Sequence, residues 1–257
     1  MKSILKNIKP IWWIYSFYLG SLDFIKLSFY SFFKEYLRFI GDYLTYKKSN
    51  TNPNFILSSG KWIPCLADRT VNTPVDPIYF YQDAWGCSVL FKNKPATHID
   101  IGSAAKTVAI MAKYVPVTMV DIRPLQLELE GLSFIEGTIL NLPFKDNSIE
   151  SLSSLCVVEH IGLGRYGDPI DSWGSEKAIR EIQRVMKPGG SMIFSVPVDT
   201  QNTIYFNGHR AFIPEYILKC FDQSTLVEDK YIYKNSLFDH YQPESGYGVG
   251  LFWFKKN

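Results

Sequence analysis

The chain has 257 residues, 46% hydrophobic and 20% charged, with a net charge of +2. This balance excludes a disordered chain, leaves room for one large domain with an appendage, and gives no general reason to expect a nucleic-acid partner. The four cysteines (Cys65, Cys87, Cys156 and Cys220) form no pair or cluster at metal-ligand spacing, so neither a disulfide framework nor a metal site is expected and a cytoplasmic setting is the default.

Charge and aromaticity are concentrated at the start. Residues 1–50 hold fourteen of the forty aromatic side chains and eight Lys/Arg against three Asp/Glu. The uncharged stretch Pro10–Leu22 is shorter than the roughly 20 residues of a membrane-spanning helix. It is rich in Trp and Tyr, and no small-residue cleavage site follows, which argues against a signal peptide. From Asp23 to Tyr43 the pattern is helical. Ile25, Phe29, Phe32, Tyr36 and Phe39 recur at four- and three-residue steps, with Ser28, Ser31, Glu35, Arg38 and Asp42 forming a polar stripe. Two readings stay open. The aromatic face packs on the main domain, or residues 1–45 lie peripherally on the inner face of a membrane, with Trp12 and Trp13 at headgroup depth.

The expected organisation is a helical, basic extension over 1–48, a turn-rich connector or lid over 49–95, and an α/β domain over 96–257. In the connector, Ser-Asn-Thr-Asn-Pro-Asn54 and Pro64, Pro74 and Pro77 interrupt any sustained period. From Thr97 short apolar runs alternate with helical segments, the pattern of a mostly parallel sheet. Strands are predicted at His98–Ile101, Val117–Val120, Phe134–Glu136, Glu150–Leu155 and Ser191–Val196, with helices between them and a final hairpin of Thr225–Tyr233 and Gly248–Phe254. Helices are predicted at Lys106–Tyr114, at Glu176–Met186 with a stop at Lys187-Pro-Gly-Gly190, and from Pro214 to about Phe221.

Two strand ends carry the first chemical signals. In His98-Ile-Asp-Ile-Gly-Ser-Ala-Ala-Lys106 a strand runs into a small-residue turn. Gly102 permits a sharp bend, Ser103 and Ala104 leave the backbone approachable, and Asp100 suits a ligand amine. In Val120-Asp-Ile-Arg123, Asp121 stands 21 residues after Asp100, a spacing that suits hydrogen bonds from ribose hydroxyls; a turn or cap role is the plainer alternative.

Three further segments carry a resemblance. Gly137-Thr-Ile-Leu-Asn-Leu-Pro-Phe-Lys-Asp-Asn-Ser-Ile149, Ser153-Ser-Leu-Cys-Val-Val-Glu-His-Ile161 and Arg180-Glu-Ile-Gln-Arg-Val-Met-Lys-Pro-Gly-Gly190, in that order, resemble class I S-adenosylmethionine (SAM)-dependent methyltransferases. Tyr81-Gln-Asp-Ala-Trp85, Asp121-Ile-Arg-Pro124, Glu159–Asp168 and Phe206-Asn-Gly-His-Arg210 resemble a methyltransferase-like branch of unknown function associated with cell-surface polysaccharide genes. The resemblance implies a Rossmann-like, seven-stranded, mostly parallel sheet closed by a C-terminal antiparallel hairpin, with SAM as cofactor. It sets Asp100, Gly102, Ser103, Ala104, Asp121, Ile122, Thr138, Ile139 and Ser154 around that cofactor. Two positions depart from the common pattern. Ala104 stands where many members have a second glycine, at a cost of roughly 1 kcal/mol if positive φ is needed there. Thr138 stands where an aspartate often holds the adenine amino group.

The loop Glu159–Asp171 follows a strand at the sheet end where ligands bind. His160 and Asp168 are the candidate bases, each with a capping or turn role as the alternative, and Arg165 could hold an anionic part of an acceptor. His209 and Arg210 fall at the same end as acceptor-binding residues, with Asp83 and Trp85 in a lid. The expected activity is methyl transfer, at oxygen, to a small-molecule carbohydrate or lipid-linked saccharide acceptor in polysaccharide synthesis. The competing expectation is a non-catalytic scaffold of the same fold in a membrane-associated assembly.

Overall fold

The computed structural model describes residues 9–57 and 62–257, with side chains from residue 29 onward. It divides into two compact units, Met1–Pro74 and Val75–Asn257. In the first, α1 (Lys9–Ser49) is one continuous helix. The side chains of Trp12, Trp13 and Ile25 lie outside the described residues. Phe29 and Phe32 stand exposed, whereas Phe39 and Tyr43 pack against Trp62, with ring centroids at 5.7 and 4.8 Å. Among the described residues no helix is long and apolar enough to cross a membrane.

The second unit opens with α2 (Pro77–Asn93), inside the segment expected to be a connector. Asp76 caps it, accepting from the backbone N–H groups of Ile78 and Tyr79 at 2.9 and 3.4 Å, and Pro77 fills the first turn, where a missing N–H costs nothing. Trp85, Val89 and Leu90 are buried, and Trp85 Nε1 donates to Glu228 at 2.8 Å. Trp85 is therefore core, not lid, and Asp83 lies in the same helix.

After α2 come β1 (His98–Ile101), α3 (Ala105–Met111), β2 (Val117–Asp121), β3 (Leu132–Glu136), β4 (Ile149–Leu155), α4 (Gly174–Val185), β5 (Met186–Val198), β6 (Thr203–Tyr205), β7 (His209–Ala211), α5 (Pro214–Cys220), β8 (Ser224–Tyr233), β9 (Ser236–Phe238) and β10 (Gly248–Lys256). The sheet order is β3-β2-β1-β4-β5-β10-β8-β9, the first five parallel and β10 antiparallel to both β5 and β8. This is the expected seven-stranded sheet with the short β9 added at one edge. β6 and β7 pair separately.

Two expectations about connections are corrected. No helix separates β2 from β3 or β3 from β4; Pro124 and Pro143 stand in these short coils. Nor does Lys187-Pro-Gly-Gly190 follow a helix end as loop. α4 ends at Val185 and β5 begins at once, with a register shift that absorbs the glycines.

Side-chain alternation along β5 divides the core between the two faces. Met192, Phe194 and Val196 meet Ile179 and Ile182 of α4, Ile217 of α5 and Phe254. Ile193 points the other way, toward Trp85, Val89, Val108 and Met111 of α2 and α3. A sheet covered on both faces presents ligands only at its strand ends.

Candidate functional site

Two adjoining cavities open at the carboxyl ends of the parallel strands, of about 630 and 420 Å³. Gly102, Asp121, Arg123, Cys156, His160 and Tyr166 line both and form the boundary between them.

The turn after β1 is built from within. Gly102 has φ +69°, and a Cβ there would meet Val157 at 3.0 Å, so both conformation and space call for glycine. Asp100 is completely buried. It accepts from the Ser103 N–H at 3.1 Å and from the Ser153 hydroxyl, and burial pushes its pKa up to about 6. It lines neither cavity, so its role is to brace the turn, not to meet a ligand amine. Ser154, expected beside the cofactor, is also buried and donates to the Ile101 carbonyl at 3.2 Å. Ser103 and Ala104 line the larger cavity. Ala104 has φ −59° and ψ 123°, a conformation open to any residue, so the anticipated cost of a missing glycine does not arise.

Asp121 ends β2 at the boundary. Its contacts to Arg123, from the backbone N–H at 2.8 Å and from Nε at 3.4 Å, both fall on Oδ1. Ile122, Thr138 and Ile139 line the smaller cavity with Val120, Leu140 and Val157, giving it largely apolar walls. Thr138 Oγ1 accepts from the Leu140 N–H at 3.3 Å.

The loop after β4 divides its expected residues between framework and cavity. Asp168 binds the loop to itself, accepting from the N–H groups of Gly162 at 2.7 Å, Tyr166 at 3.2 Å and Gly164 at 3.4 Å. It lines only the smaller cavity, and with three donors on its carboxylate it is poorly placed as an acceptor's base. Arg210 is buried beneath the loop and donates to Ser175 Oγ at 2.9 Å and to the Ile161 and Asp171 carbonyls. It lines neither cavity and is a clamp, not an acceptor-binding residue.

His160, His209 and Arg165 do reach the larger cavity. His160 Nδ1 lies 2.7 Å from the Gly208 carbonyl, an acceptor, and 3.2 Å from Arg165 Nη1, a donor; the shorter contact assigns the proton to Nδ1 and leaves Nε2 a lone pair. Burial, aided by the Arg165 guanidinium, lowers the His160 pKa to about 4, so the ring is neutral near pH 7. Arg165 donates to the same carbonyl at 2.9 Å. The Tyr166 ring lies edge-on to His160, between the guanidiniums of Arg123 and Arg165 at 4.6 and 5.1 Å. His209 sits between Tyr205 and Tyr247, and its buried Nε2 has no hydrogen-bond partner.

Among the lining residues to which sequence reasoning gave no role are Tyr79, Cys156, Glu159 and Tyr247. Cys156 adopts φ +54°, uncommon for a side-chain-bearing residue, and its thiol donates to Gln82 Oε1 at 3.0 Å, which also accepts from Ser195 Oγ at 2.7 Å. This junction ties α2 to the ends of β4 and β5. Glu159 lies a few residues beyond the end of β4, inside the Ser153–Ile161 segment, and that position was the available signal. It is almost wholly buried, its pKa is pushed up to about 8 by burial, and its Oε1 lies 3.7 Å from His160 Nε2.

Residues 139–219 match the model of a family described as Caenorhabditis protein of unknown function, DUF268. No curated protein matches the chain. Among solved structures, the chain is similar to 1,6-didemethyltoxoflavin-N1-methyltransferase of Burkholderia thailandensis with bound S-adenosylhomocysteine (15% identity, 73% of this chain and 93% of that one, TM-score 0.52). It is also similar to the N-methyltransferase NodS of Bradyrhizobium japonicum, in complex with the same molecule (14% identity, 83% and 97%, TM-score 0.52). The [4+2]-cyclase SpnF is a further neighbour (13% identity, 68% and 81%, TM-score 0.51). At these identities the likeness establishes the class I methyltransferase fold, and SpnF shows that this fold also carries other chemistry.

Proposed function

We propose that this protein is a SAM-dependent methyltransferase that methylates a hydroxyl group of a carbohydrate or lipid-linked saccharide. The observation that carries the reading is the pairing of cavities. An apolar one beside Asp121 meets, at Gly102 and Cys156, a larger one holding Glu159, His160 and His209.

The residues present fit the cofactor. The walls formed by Ile122, Ile139 and Val157 suit an adenine ring, with Thr138 able to accept from its amino group. Asp121 suits the ribose hydroxyls, since its Arg123 contacts all fall on one oxygen. Gly102, Ser103 and Ala104 leave backbone accessible for the amino-acid end. When bound, SAM supplies an electrophilic methyl group on a sulfonium.

The chain's own task is to hold an acceptor oxygen in line and remove its proton. His160 is fixed by Gly208 with the Nε2 lone pair available to accept a hydroxyl hydrogen bond. Tyr79 and Tyr247 add aromatic walls beside these polar groups, a mixture that suits a polyhydroxylated ring, and exposed Arg165 suits an anionic portion such as a phosphate. The exposed Phe29, Tyr30, Phe32 and Phe33, with the basic residues of the extension, support peripheral contact of residues 1–45 with an anionic membrane surface. Salt-sensitive sedimentation of the full chain with anionic liposomes checks that part.

The central experiment is calorimetric titration of the full chain with SAM and S-adenosylhomocysteine, followed by turnover of SAM with neutral and lipid-linked saccharides. Saturable binding and acceptor-dependent turnover are expected. Absence of SAM binding would end this reading, and binding with turnover only on amine acceptors would end its oxygen assignment.

A further inference from the structure

The wall of the larger cavity contains a buried carboxyl group with one oxygen left without a partner. Glu159 is 1% exposed, and its Oε2 has no hydrogen-bond partner in the protein. A buried carboxyl oxygen without a partner is costly, and more so when charged. Asp100, equally buried, has both oxygens occupied. The acid–base groups around Glu159 are His160 beside it, the Cys156 thiol at the end of β4, Tyr79 from α2, Tyr247 ahead of β10, and Arg165 at the rim. Arg165 is exposed to solvent and screened, and the neighbouring His160 ring is neutral near pH 7. The buried Arg210, from β7, donates to Ser175 and to the Ile161 and Asp171 carbonyls and makes no hydrogen bond to Glu159.

Resting on the methyltransferase reading, we propose that Glu159 is the counter-charge of the cofactor's sulfonium: it holds a proton in the free protein, releases it when SAM binds, and with His160 takes up the acceptor's proton as the methyl is transferred. The physical reason is that one charge in a desolvated cavity is costly, whereas an opposite pair offsets much of that cost. The site therefore stays neutral throughout. Before transfer it holds a sulfonium and a carboxylate. In transfer the acceptor's O–H bond breaks, its proton passes to the Glu159–His160 pair, the oxygen's electron pair forms the bond to carbon, and the carbon–sulfur electron pair returns to sulfur. A neutral thioether and a protonated pair remain. A neutral acceptor carrying an O–H or N–H keeps this balance, because its only surplus charge after transfer is the proton that the pair absorbs, and the proposed hydroxyl acceptor meets that condition.

SAM and S-adenosylhomocysteine share every titratable group and differ in the sulfonium charge, so their comparison isolates the effect. Calorimetry at pH 7 in two buffers of different ionisation enthalpy counts the protons exchanged. SAM is expected to release most of one proton more than S-adenosylhomocysteine, and Glu159→Gln to abolish the difference while both ligands still bind. Equal proton counts for the two ligands, or a difference that persists in Glu159→Gln, overturns the proposal and leaves the methyltransferase reading intact. If that variant does not fold, the unaltered chain decides. Its affinity for SAM relative to S-adenosylhomocysteine should rise about tenfold per pH unit from pH 6 toward 8 and then level, because one proton is released on binding. A pH-independent ratio overturns the inference. Failure of both ligands to bind removes the methyltransferase reading and this proposal with it.

Discussion

One buried histidine–carboxylate cluster lies between β1 and β4 and another at the cavity beyond β4, and they are built in opposite ways. In the first, the Ser151 hydroxyl donates to His98 Nδ1 at 2.8 Å, His98 Nε2 donates to Ser153 Oγ at 2.9 Å, the Ser153 hydroxyl donates to Asp100 Oδ2, and Asp100 Oδ1 accepts from the Ser103 N–H. Each donor finds an acceptor, and burial drives the His98 pKa down to about 3 and the Asp100 pKa up to about 6, so from about pH 7 upward the chain of bonds keeps one protonation pattern. In the second, Glu159 Oε2 and His209 Nε2 have no partner, and the residues line a cavity. A saturated cluster has no capacity left for a ligand and serves the fold; an unsaturated one carries a cost that a ligand can relieve.

The largest expected effect is at the saturated cluster. His98→Ala leaves Ser151 and Ser153 without their partners and opens a cavity, and should lower stability by about 3 kcal/mol or more in urea unfolding. A loss below about 1 kcal/mol would break the contrast between the clusters. At the open cluster, His160→Ala should leave the unfolding midpoint and SAM affinity nearly unchanged, yet reduce methyl transfer about 100-fold in a single-turnover assay with a proven acceptor. Loss of SAM binding in that variant would move His160 into the cofactor pocket. Asp121→Ala, at the boundary, should weaken SAM by about 1–3 kcal/mol in calorimetry, and unchanged affinity would remove Asp121 from the site.

The subtlest prediction concerns pH. The folded protein holds the Glu159 proton up to about pH 8, whereas an unfolded glutamate loses it near 4.5, so the folded state binds more protons in between and stability falls as pH rises across that range. His98 and His160 act oppositely, but only below their unfolded value near 6.5, and the Asp100 contribution ends near pH 6. Between pH 6.5 and 8 the thermal midpoint of the ligand-free protein should therefore decline, and Glu159→Gln should flatten the slope. A slope unchanged by that substitution would assign the titration elsewhere.

The sequence made the parallel sheet legible because apolar runs and turn residues alternate along it, and the same pattern placed Asp121 at a strand end, where it lines both cavities. α2 was hidden for a local reason. Its buried face runs Gln82, Trp85, Gly86, Val89 and Leu90, a helical period in which a glutamine and a glycine take apolar places, and prolines precede it. The framework roles of Asp168 and Arg210 could not be told from ligand-binding ones for a different reason. A charged loop residue has the same appearance in sequence whether its hydrogen bonds go to a ligand or to neighbouring backbone, and only the folded geometry separates the two. Glu159 was passed over because its carboxyl becomes unusual only through burial, which follows from the packing of α2, β4 and the loop together.

The junction of Gln82 with Cys156 and Ser195 bears on how the protein can be cut. The residues that identify the fold begin near His98, and a fragment trimmed to 96–257 would keep all of them. It would lose the amide that holds Cys156 and Ser195 in place, and it would bare the sheet face that Trp85, Val89 and Leu90 cover. The smallest fragment worth expressing therefore begins ahead of Asp76, upstream of every recognisable motif in the cofactor half.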